Sequence, residues 1–275
     1  MTTTLRPAGP ERREADGTRA RTYTVCVNSR VVGGIELGTD RRYGPAVGRI
    51  NALTIDEPDR RRGRGTVAAL AAEEVLRDWG CTRVETSVPA DAAYGLRMAA
   101  SLGYVERNRN MVLPFDGAGA GHDLPSGSVM RPLTEAEYPS WRAHEREHFI
   151  ASLTDRGVPL DQAEAHEAQG FATGLPDGFA TEGTALLALD HDGTTVGHLW
   201  VRVADPAWVF SVEVQAGHRG RGHGRTLMLA AEDTARRAGA GSIRLNVFAG
   251  NTPALRLYES LGYRPTDLHF AKPLI

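Results

Sequence analysis

The second half of the chain alternates apolar and polar positions in segments of different period. Two β-branched apolar runs, 184–189 and 195–203, flank Asp192-Gly193, a dipeptide that favours a hairpin turn. Residues 225–238 repeat apolar side chains at helical spacing, and Gly239 follows where a helix end is expected. The predicted order begins with a helical region over 132–168, which has breaks near Pro139 and Gly157, and continues with the hairpin and a strand over 208–214. A glycine-rich loop, the helix over 225–238 and a strand over 243–248 follow. The last elements are a short helix, with Thr252 as N-cap and Pro253 at its first position, and a terminal strand. This order predicts an α/β fold of mixed layers with a mixed sheet.

An internal duplication divides the chain. At an offset of 159 residues, Ile50–Tyr104 and Val209–Tyr263 are identical at 18 of 55 positions without a gap. Between the copies lies DGAGAGHDLPSGS (116–128), whose glycine, proline and serine content is typical of a flexible linker. We therefore expect a first domain over 1–115, a linker over 116–128 and a second domain over 129–275.

Composition and charge narrow the class of protein. The 275 residues are 41% hydrophobic and 24% charged, which is typical of a globular chain and excludes disordered and fibrous classes. The net charge of −2 gives no overall field that would attract nucleic acid or an anionic membrane. No apolar run approaches the roughly 18 residues of a membrane span and no signal sequence is recognisable, so we expect a cytoplasmic protein. Cys26 and Cys81 lack metal-ligand spacing and are interpreted as reduced core residues.

A loop rich in glycine and arginine carries the first chemical signal. RGRGHG (219–224) lies between a predicted strand and a predicted helix, where backbone amides and the helix dipole favour an anion such as phosphate. Arg219, Arg221 and Arg225 would add charged contacts to phosphate oxygens. The loop matches neither GxxxxGK[ST] nor the dinucleotide-binding fingerprint. By itself it is equally consistent with a tight turn.

A second motif downstream of the loop indicates a family. RxxGxG after a strand, followed by NTPALRLYESLGY (251–263), resembles the GNAT family of acyl-CoA-dependent N-acetyltransferases. LPDG at 175–178 and LNVF at 245–248 resemble one bacterial branch of that family. The resemblance covers the second domain nearly from end to end and the first domain in part. It implies two tandem GNAT-like domains, each with a mostly antiparallel mixed sheet splayed at the acyl-CoA site, and acetyl-CoA as co-substrate.

The resemblance also implies where acetyl-CoA binds. It would lie where the strand ending at Val214 splays from the strand over 243–248, with its pyrophosphate on the loop amides and its pantetheine beside the backbone at Val214. Asn251 occupies the position from which family members usually hydrogen-bond the pantetheine arm. The implied cofactor-binding residues are Val212, Val214, Arg219, Gly220, Arg221, Gly222, His223, Gly224, Arg225, Thr226 and Asn251.

Two side chains are the candidate catalytic groups. Tyr258 occupies the general-acid position of the family, from which a phenol protonates the leaving CoA thiolate, although its helical spacing also fits a core aromatic. Glu213 is the candidate base for an amine that is protonated at neutral pH. Strand alternation places Glu213 opposite Val212 unless a bulge shifts the phase, and an exposed strand carboxylate is the alternative reading.

The first copy departs from this pattern. It keeps the loop over 60–65, but Thr54, Ala92 and Ala99 stand where the second copy has Glu213, Asn251 and Tyr258. Only about 20 polar residues precede its first strong strand, so the helices of a substrate wall are expected to be missing. We expect a degenerate, catalytically silent GNAT-like domain that is either a structural partner or a second CoA-binding site.

A rival motif lies in the predicted helical region. HEREH (144–148) matches HExxH, in which two histidines on one helical face bind zinc. Nothing in the sequence fixes a third ligand, so we expect no metal, and His144, Glu145 and His148 either line an acceptor pocket or face solvent. The acids of this region indicate either a cationic acceptor or a solvated face; they are Glu135, Glu137, Glu145, Glu147, Glu164 and Glu167.

The expected activity is transfer of an acetyl group from acetyl-CoA to a primary amine of a small molecule or peptide, by direct attack in a ternary complex. The Val214 amide would stabilise the oxyanion. The alternative is a non-catalytic acyl-CoA-binding sensor or scaffold, which would need the loop but neither Glu213 nor Tyr258. The duplication is compatible with a monomer or a homodimer.

Overall fold

The computed structural model describes residues 3–117 and 121–274, so residues 118–120 of the predicted linker lie outside the described part. The chain forms two compact units: unit 1 takes the chain up to Arg109 and the segment from Thr266 onward, and unit 2 takes Asn110–Pro265. The strands are β1 (Thr3–Pro7), β2 (Arg12–Arg13), β3 (Arg19–Val27), β4 (Arg30–Asp40), β5 (Gly44–Ile55), β6 (Arg83–Pro89), β7 (Val105–Pro114), β8 (Ser128–Pro132), β9 (Thr184–His191), β10 (Thr194–Arg202), β11 (Ala207–Val214), β12 (Ser242–Phe248) and β13 (Arg264–Pro273). The α-helices are α1 (Arg64–Asp78), α2 (Ala93–Ser101), α3 (Tyr138–Thr154), α4 (Leu160–Gly174), α5 (His223–Arg237) and α6 (Thr252–Ser260).

Unit 1 is a sheet in the order β1-β3-β4-β5-β6-β13, with β2 beside β3. Its strands pair antiparallel, except that β5 and β6 run parallel over Val47–Ile50 and Arg83–Thr86. Helix α1 buries Ala72 and Leu76 in the core with Ile35, because its apolar positions recur at helical spacing. No α-helix precedes α1 among residues 3–63. This confirms the prediction that the first copy lacks the helices that would form a substrate wall.

Unit 2 is a sheet in the order β7-β12-β11-β10-β9-β8, with helices on both faces. Helix α5 packs on one face, where Leu227 is fully buried. Helices α3 and α4 cover the other face through an aromatic cluster. In this cluster the Trp200 ring lies 4.5 Å from that of Phe210, 5.9 Å from that of Trp141 and 4.8 Å from that of Phe171, centroid to centroid. The cluster fixes α3 beside β10 and β11.

The last strand of each sequence copy does not stay wholly with the unit that the rest of that copy forms. Strands β7 and β13 are equivalent, 159 residues apart, yet most of β13 belongs to unit 1, where Asp267–Pro273 pair antiparallel with β6. The end of β7 belongs to unit 2: Asn246 Nδ2 donates to Asn110 Oδ1 (2.8 Å) and the Phe115 amide donates to the Gly241 carbonyl (2.9 Å). Each unit therefore completes its sheet with a segment from the other copy.

Most elements predicted for the second copy are confirmed. The hairpin forms as β9 and β10, and both Asp192 (φ 49°) and Gly193 (φ 75°) adopt the left-handed backbone that this tight turn requires. The helical region forms α3 and α4, broken at Gly157 but extending beyond 168 to Gly174. Strand β8 was not predicted, because SVMRP has too few apolar residues to show a period. None of the helices in the described residues is both long enough and apolar enough to cross a membrane.

A test of the packing concerns Gly197 on β10, which lies opposite Val214. A Cβ there would collide with the Glu213 carbonyl oxygen and lie 2.9 Å from Leu227 Cδ1. We expect Gly197→Ala to lower the free energy of unfolding by about 1–3 kcal/mol, measured by urea denaturation. Gly217→Ala is the control, since no atom lies within 4 Å of a Cβ at that position. Equal losses in the two variants would contradict this steric account.

Candidate active site

Two neighbouring strands of unit 2 stop pairing before they end. Strands β11 and β12 pair in parallel only over Ala207–Val209 and Ile243–Leu245. Yet β11 continues to Val214 and β12 to Phe248. Beyond the three paired residues the strands diverge, and main-chain groups on the facing edges are left without a partner strand. This divergence is the splayed gap that the family resemblance implied.

A bulge in β11 sets which side chains face each side of the sheet. Relative to β10, Phe210 is the extra residue of β11. Beyond the bulge, Val212 and Val214 pack against the core beneath α5, whereas Ser211 and Glu213 make hydrogen bonds to residues of α3. The side chains of Glu213 and Val212 therefore lie on opposite faces of the sheet, and β11 carries its polar groups on the face that α3 covers.

The Val214 amide points into the gap. The Gln215 amide donates to the Val196 carbonyl on β10 (2.9 Å). Hydrogen-bonded and non-bonded pairs alternate along an antiparallel ladder, so the next pair, Gly197 and Val214, exchanges no hydrogen bonds. The main-chain groups of Val214 consequently point away from β10. Its carbonyl accepts from Arg219 Nε (3.0 Å), and its N–H is the donor that faces the gap.

The glycine-rich loop connects β11 to α5 and has the geometry of an anion cradle. Gly220 (φ 78°) and Gly222 (φ 89°) adopt left-handed conformations, and Gly222 is the N-cap of α5. Among the described residues, no hydrogen bond from the amides of 220–224 to another protein group is found. A Cβ on Gly224 would lie 3.4 Å from Leu257 Cδ2, so the loop also packs closely on α6. Free amides at a helix N-terminus favour phosphate.

The basic side chains of the loop are arranged less uniformly than the sequence suggested. Arg219 turns back to the end of β11, and Arg225 donates to Ser260 Oγ on α6 (2.6 Å). His223 is buried, which lowers its pKa, and its Nε2 has no hydrogen-bond partner among the described residues. A cavity of about 280 Å³ lies beside the loop. Its lining includes Arg221, His223, Arg225 and Thr226 from the loop and helix, with His122 and His191 opposite.

Asn251 begins α6. Its Oδ1 accepts from the Ala254 amide (3.3 Å), which makes Asn251 the N-cap of the helix. The prediction that Thr252 is the N-cap is therefore wrong. Thr252 is the first residue of the helix, because the residue before it, Asn251, caps the free amide of Ala254. Capping uses the oxygen of Asn251 and leaves its amide nitrogen as a donor.

Tyr258 lies on α6 and is 6% exposed. It packs beside Tyr263, with 5.9 Å between ring centroids, in the core shared by α5 and the sheet. Burial raises the pKa of Tyr258 to about 12. The phenol is therefore protonated at neutral pH, the state that a proton donor requires.

Glu213 faces α3, and both its oxygens approach basic residues. Its Oε2 lies 2.9 Å from His144 Nε2, and its Oε1 lies 3.9 Å from Arg219 Nη2. The side chain is 13% exposed, so it is not the exposed strand carboxylate of the alternative reading. His198 of β10 pairs with Glu213 in the ladder. Burial lowers the pKa of His198, so this imidazole is neutral at neutral pH.

A second carboxyl group, which the sequence analysis named only as an acceptor-pocket or solvent-facing residue, lies near Glu213. Glu145 of α3 is 7% exposed and accepts from Ser211 Oγ of β11 (2.9 Å). Burial raises the pKa of Glu145 to about 7; the Ser211 hydrogen bond opposes the rise and the Glu213 charge adds to it. The HExxH pattern contained this residue, but its significance depends on how α3 packs on the sheet.

The zinc reading of HExxH finds no support in this geometry. His144 bonds to Glu213, and its ring lies 6.2 Å from that of His148. Within residues 3–117 and 121–274, no three histidine, cysteine, aspartate or glutamate side chains are grouped as metal ligands.

Three of the six acids that the sequence analysis named in this region have basic partners. Glu137 pairs with Arg131 (2.8 Å), and Glu167 pairs with Arg142 (2.7 Å). Glu164 lies 3.7 Å from Arg146. These three acids are thus engaged with basic side chains.

The model of the acetyltransferase (GNAT) family matches the chain twice, over residues 3–104 and 133–263. The chain belongs to this family. It is accordingly an acyltransferase, and the two matches correspond to the two copies of the duplication.

Relatives and solved GNAT structures match this chain over most of its length. The chain is 28% identical over 242 residues to a mycothiol acetyltransferase of Beutenbergia cavernae, covering 82% of this chain and 77% of the relative. A GCN5-related N-acetyltransferase from Sphaerobacter thermophilus aligns with a TM-score of 0.61 at 20% identity, over 92% of this chain and 80% of its own. A tandem GNAT protein from the clavulanic acid biosynthesis pathway aligns with a TM-score of 0.52 at 20% identity, over 96% and 85%. These two structures support the fold.

The first GNAT copy keeps the loop backbone of the second and only part of its side chains. Gly63 is the left-handed N-cap of α1 (φ 72°), and Arg60 Nε donates to the Ile55 carbonyl (2.8 Å), as Arg219 does to Val214. Its loop differs at Arg64, which is buried in an ion pair with Asp59. Unit 2 has His223 at the equivalent position.

The capping assignment gives a paired test. We expect Asn251→Ala to lower the free energy of unfolding by about 1 kcal/mol, because the Ala254 amide loses its acceptor. Thr252→Ala, at the position favoured by sequence, should change it by a few tenths of a kcal/mol at most. Urea denaturation measures both, and a larger loss in Thr252→Ala would contradict the assignment.

Proposed function

We propose that unit 2 transfers the acetyl group of acetyl-CoA directly to a primary amine of a small molecule or peptide, with both substrates bound together. The observation that carries the proposal is the gap between β11 and β12, which opens beside a loop whose amides have no protein acceptor. An extended thioester ligand with a pyrophosphate needs both features side by side. Family membership and the mycothiol acetyltransferase relative support the acetyl transfer.

In this proposal the loop and β11 hold acetyl-CoA. The pyrophosphate lies on the amides from Gly220 to Gly224, with charge from the neighbouring arginines. The pantetheine runs beside Val212 and Val214 like an added strand. The nitrogen of Asn251 is free to donate to the pantetheine arm because its oxygen caps α6. The proposed binding residues are those that the family resemblance implied, from Arg219 to Thr226 with Val212, Val214 and Asn251.

The chemical roles follow from the protonation states. Glu213 helps to remove a proton from the acceptor amine, which then attacks the thioester carbonyl. The Val214 N–H donates to the oxygen on which negative charge develops. Tyr258 is a neutral phenol and gives its proton to the departing CoA thiolate. In unit 1, Thr54 and Ala99 have no group for either proton transfer, so we propose that the first copy is a structural partner.

Acetyl-CoA binding is tested with matched loop variants. Gly222→Val forces a side chain into a left-handed position, which costs about 1–2 kcal/mol and misaligns the amides. We expect at least a tenfold loss of acetyl-CoA affinity by calorimetry, since about 1.4 kcal/mol corresponds to tenfold. Gly63→Val imposes the same strain on unit 1 and should leave affinity unchanged. The opposite pattern would move the binding site to unit 1 and contradict the proposal.

The role of Tyr258 is tested by Tyr258→Phe. Loss of the hydroxyl should lower kcat about 100-fold or more, with acetyl-CoA affinity changed less than threefold, because only the proton donor is removed. Thiol release with a panel of primary amines, including diamines, amino sugars and lysine peptides, measures turnover. Full turnover in Tyr258→Phe across the pH range would exclude Tyr258 as the acid.

A further inference from the structure

Glu145 differs from every other buried carboxylate in the described part of unit 2. Glu167, Glu232 and Asp233 each have a nitrogen donor from a basic side chain within 3.7 Å. Glu145 has a hydroxyl, Ser211 Oγ, as its hydrogen-bond donor. A buried carboxylate without a cation destabilises the fold unless it binds a proton or a cationic ligand. Such groups concentrate at functional sites.

The neighbouring basic groups do not neutralise the negative charge of the Glu145 carboxylate. Arg142, on its own helix, pairs with Glu167 of α4, and His144 is hydrogen-bonded to Glu213. His198 of β10 is neutral because of its burial. From β11 the facing groups are the Ser211 hydroxyl and Glu213, which bears the same charge. Glu145 is thus the member of the carboxyl pair whose proton affinity is raised, while the oxygens of Glu213 are already engaged.

We propose that Glu145 receives the proton of the acceptor amine, in a carboxyl pair with Glu213, and that the site accordingly takes acceptors that arrive as ammonium cations. This inference rests on the proposed function. Ser211 orients the Glu145 carboxyl group, and the cation relieves the repulsion between the two carboxylates. The pair is formed by α3 and β11, the helix and strand that the aromatic cluster holds together.

The proton balance is complete without another reactant. An N–H bond of the ammonium breaks, an O–H bond forms on Glu145, and the freed lone pair attacks the thioester carbon. The C–S bond breaks and Tyr258 supplies the proton of the CoA thiol. The nitrogen loses a second proton, which restores Tyr258 through solvent. The proton on Glu145 leaves through Glu213 and His144, whose side chain is 56% exposed, as the single proton that the reaction releases.

The coupled pair is tested first without any acceptor. Protein labelled with ¹³C at the glutamate carboxyl carbon is titrated by NMR. We expect one carboxyl to titrate at about pH 7, to be absent in Glu145→Gln and to be unchanged in Glu147→Gln, an exposed glutamate of the same helix. In Glu213→Gln its midpoint should fall by about half a pH unit or more, because a neighbouring negative charge is removed. The proposal is overturned if no carboxyl group titrates near pH 7. It is also overturned if the midpoint of that titration does not change in Glu213→Gln.

The second test uses the best amine of the thiol-release panel. A base acts in its deprotonated form, so kcat/KM should fall below about pH 7 in the wild type and in Glu147→Gln. Glu145→Gln should lower kcat/KM at least about tenfold and shift this acidic limb, whereas Glu145→Asp should retain the limb. An active Glu145→Gln with an unchanged limb overturns the role of Glu145 and leaves the transfer function standing. A wild type that acetylates no amine despite binding acetyl-CoA overturns both.

Discussion

The early end of parallel pairing between β11 and β12 is the constraint on which the candidate site depends. If the strands stayed paired to their ends, the Val214 N–H would be satisfied within the sheet and an extended ligand would find no edge to bind. Divergence after Leu245 leaves main-chain donors on the edge of β11. The bulge at Phe210 adds a second consequence, because it fixes the polar face of β11 toward α3. In the proposed reaction, one strand therefore serves the acyl donor along its edge and the acceptor across its face.

The two copies share one backbone but carry different side chains at the candidate catalytic positions. In unit 1, β5 and β6 also stop pairing early, and the loop keeps its left-handed glycine. The positions equivalent to Glu213, Asn251 and Tyr258 hold Thr54, Ala92 and Ala99, and one of the loop arginines, Arg64, is paired with Asp59. Strand divergence and loop geometry are thus properties of the packing, whereas the proposed activity depends on a few side chains that packing does not require.

Local signals predicted much of the fold. The Asp192-Gly193 turn, the glycine loop and the order of elements all follow from interactions within a few residues, and the duplication is visible as identity alone. The N-cap of α6 was misassigned by one residue because Asn251 and Thr252 are both good caps, and only the helix start decides between them. Glu145 and Ser211 meet across α3 and β11, far apart in sequence. No local pattern contains that contact, since the aromatic cluster that creates it is a tertiary feature.

The exchanged terminal strands have a consequence for synthesis. Strand β13 lines the edge of β6 in unit 1 and supplies Lys272, whose Nζ lies 2.7 Å from the buried Glu73 carboxylate of α1. The ribosome makes the remainder of unit 1 first, but this strand emerges only after all of unit 2. Unit 1 therefore begins to form before unit 2 but is completed after it. Until β13 is made, β6 is an open sheet edge and Glu73 has no Lys272 to pair with. Nascent unit 1 must tolerate that interval, and separating the copies at the linker would make it permanent.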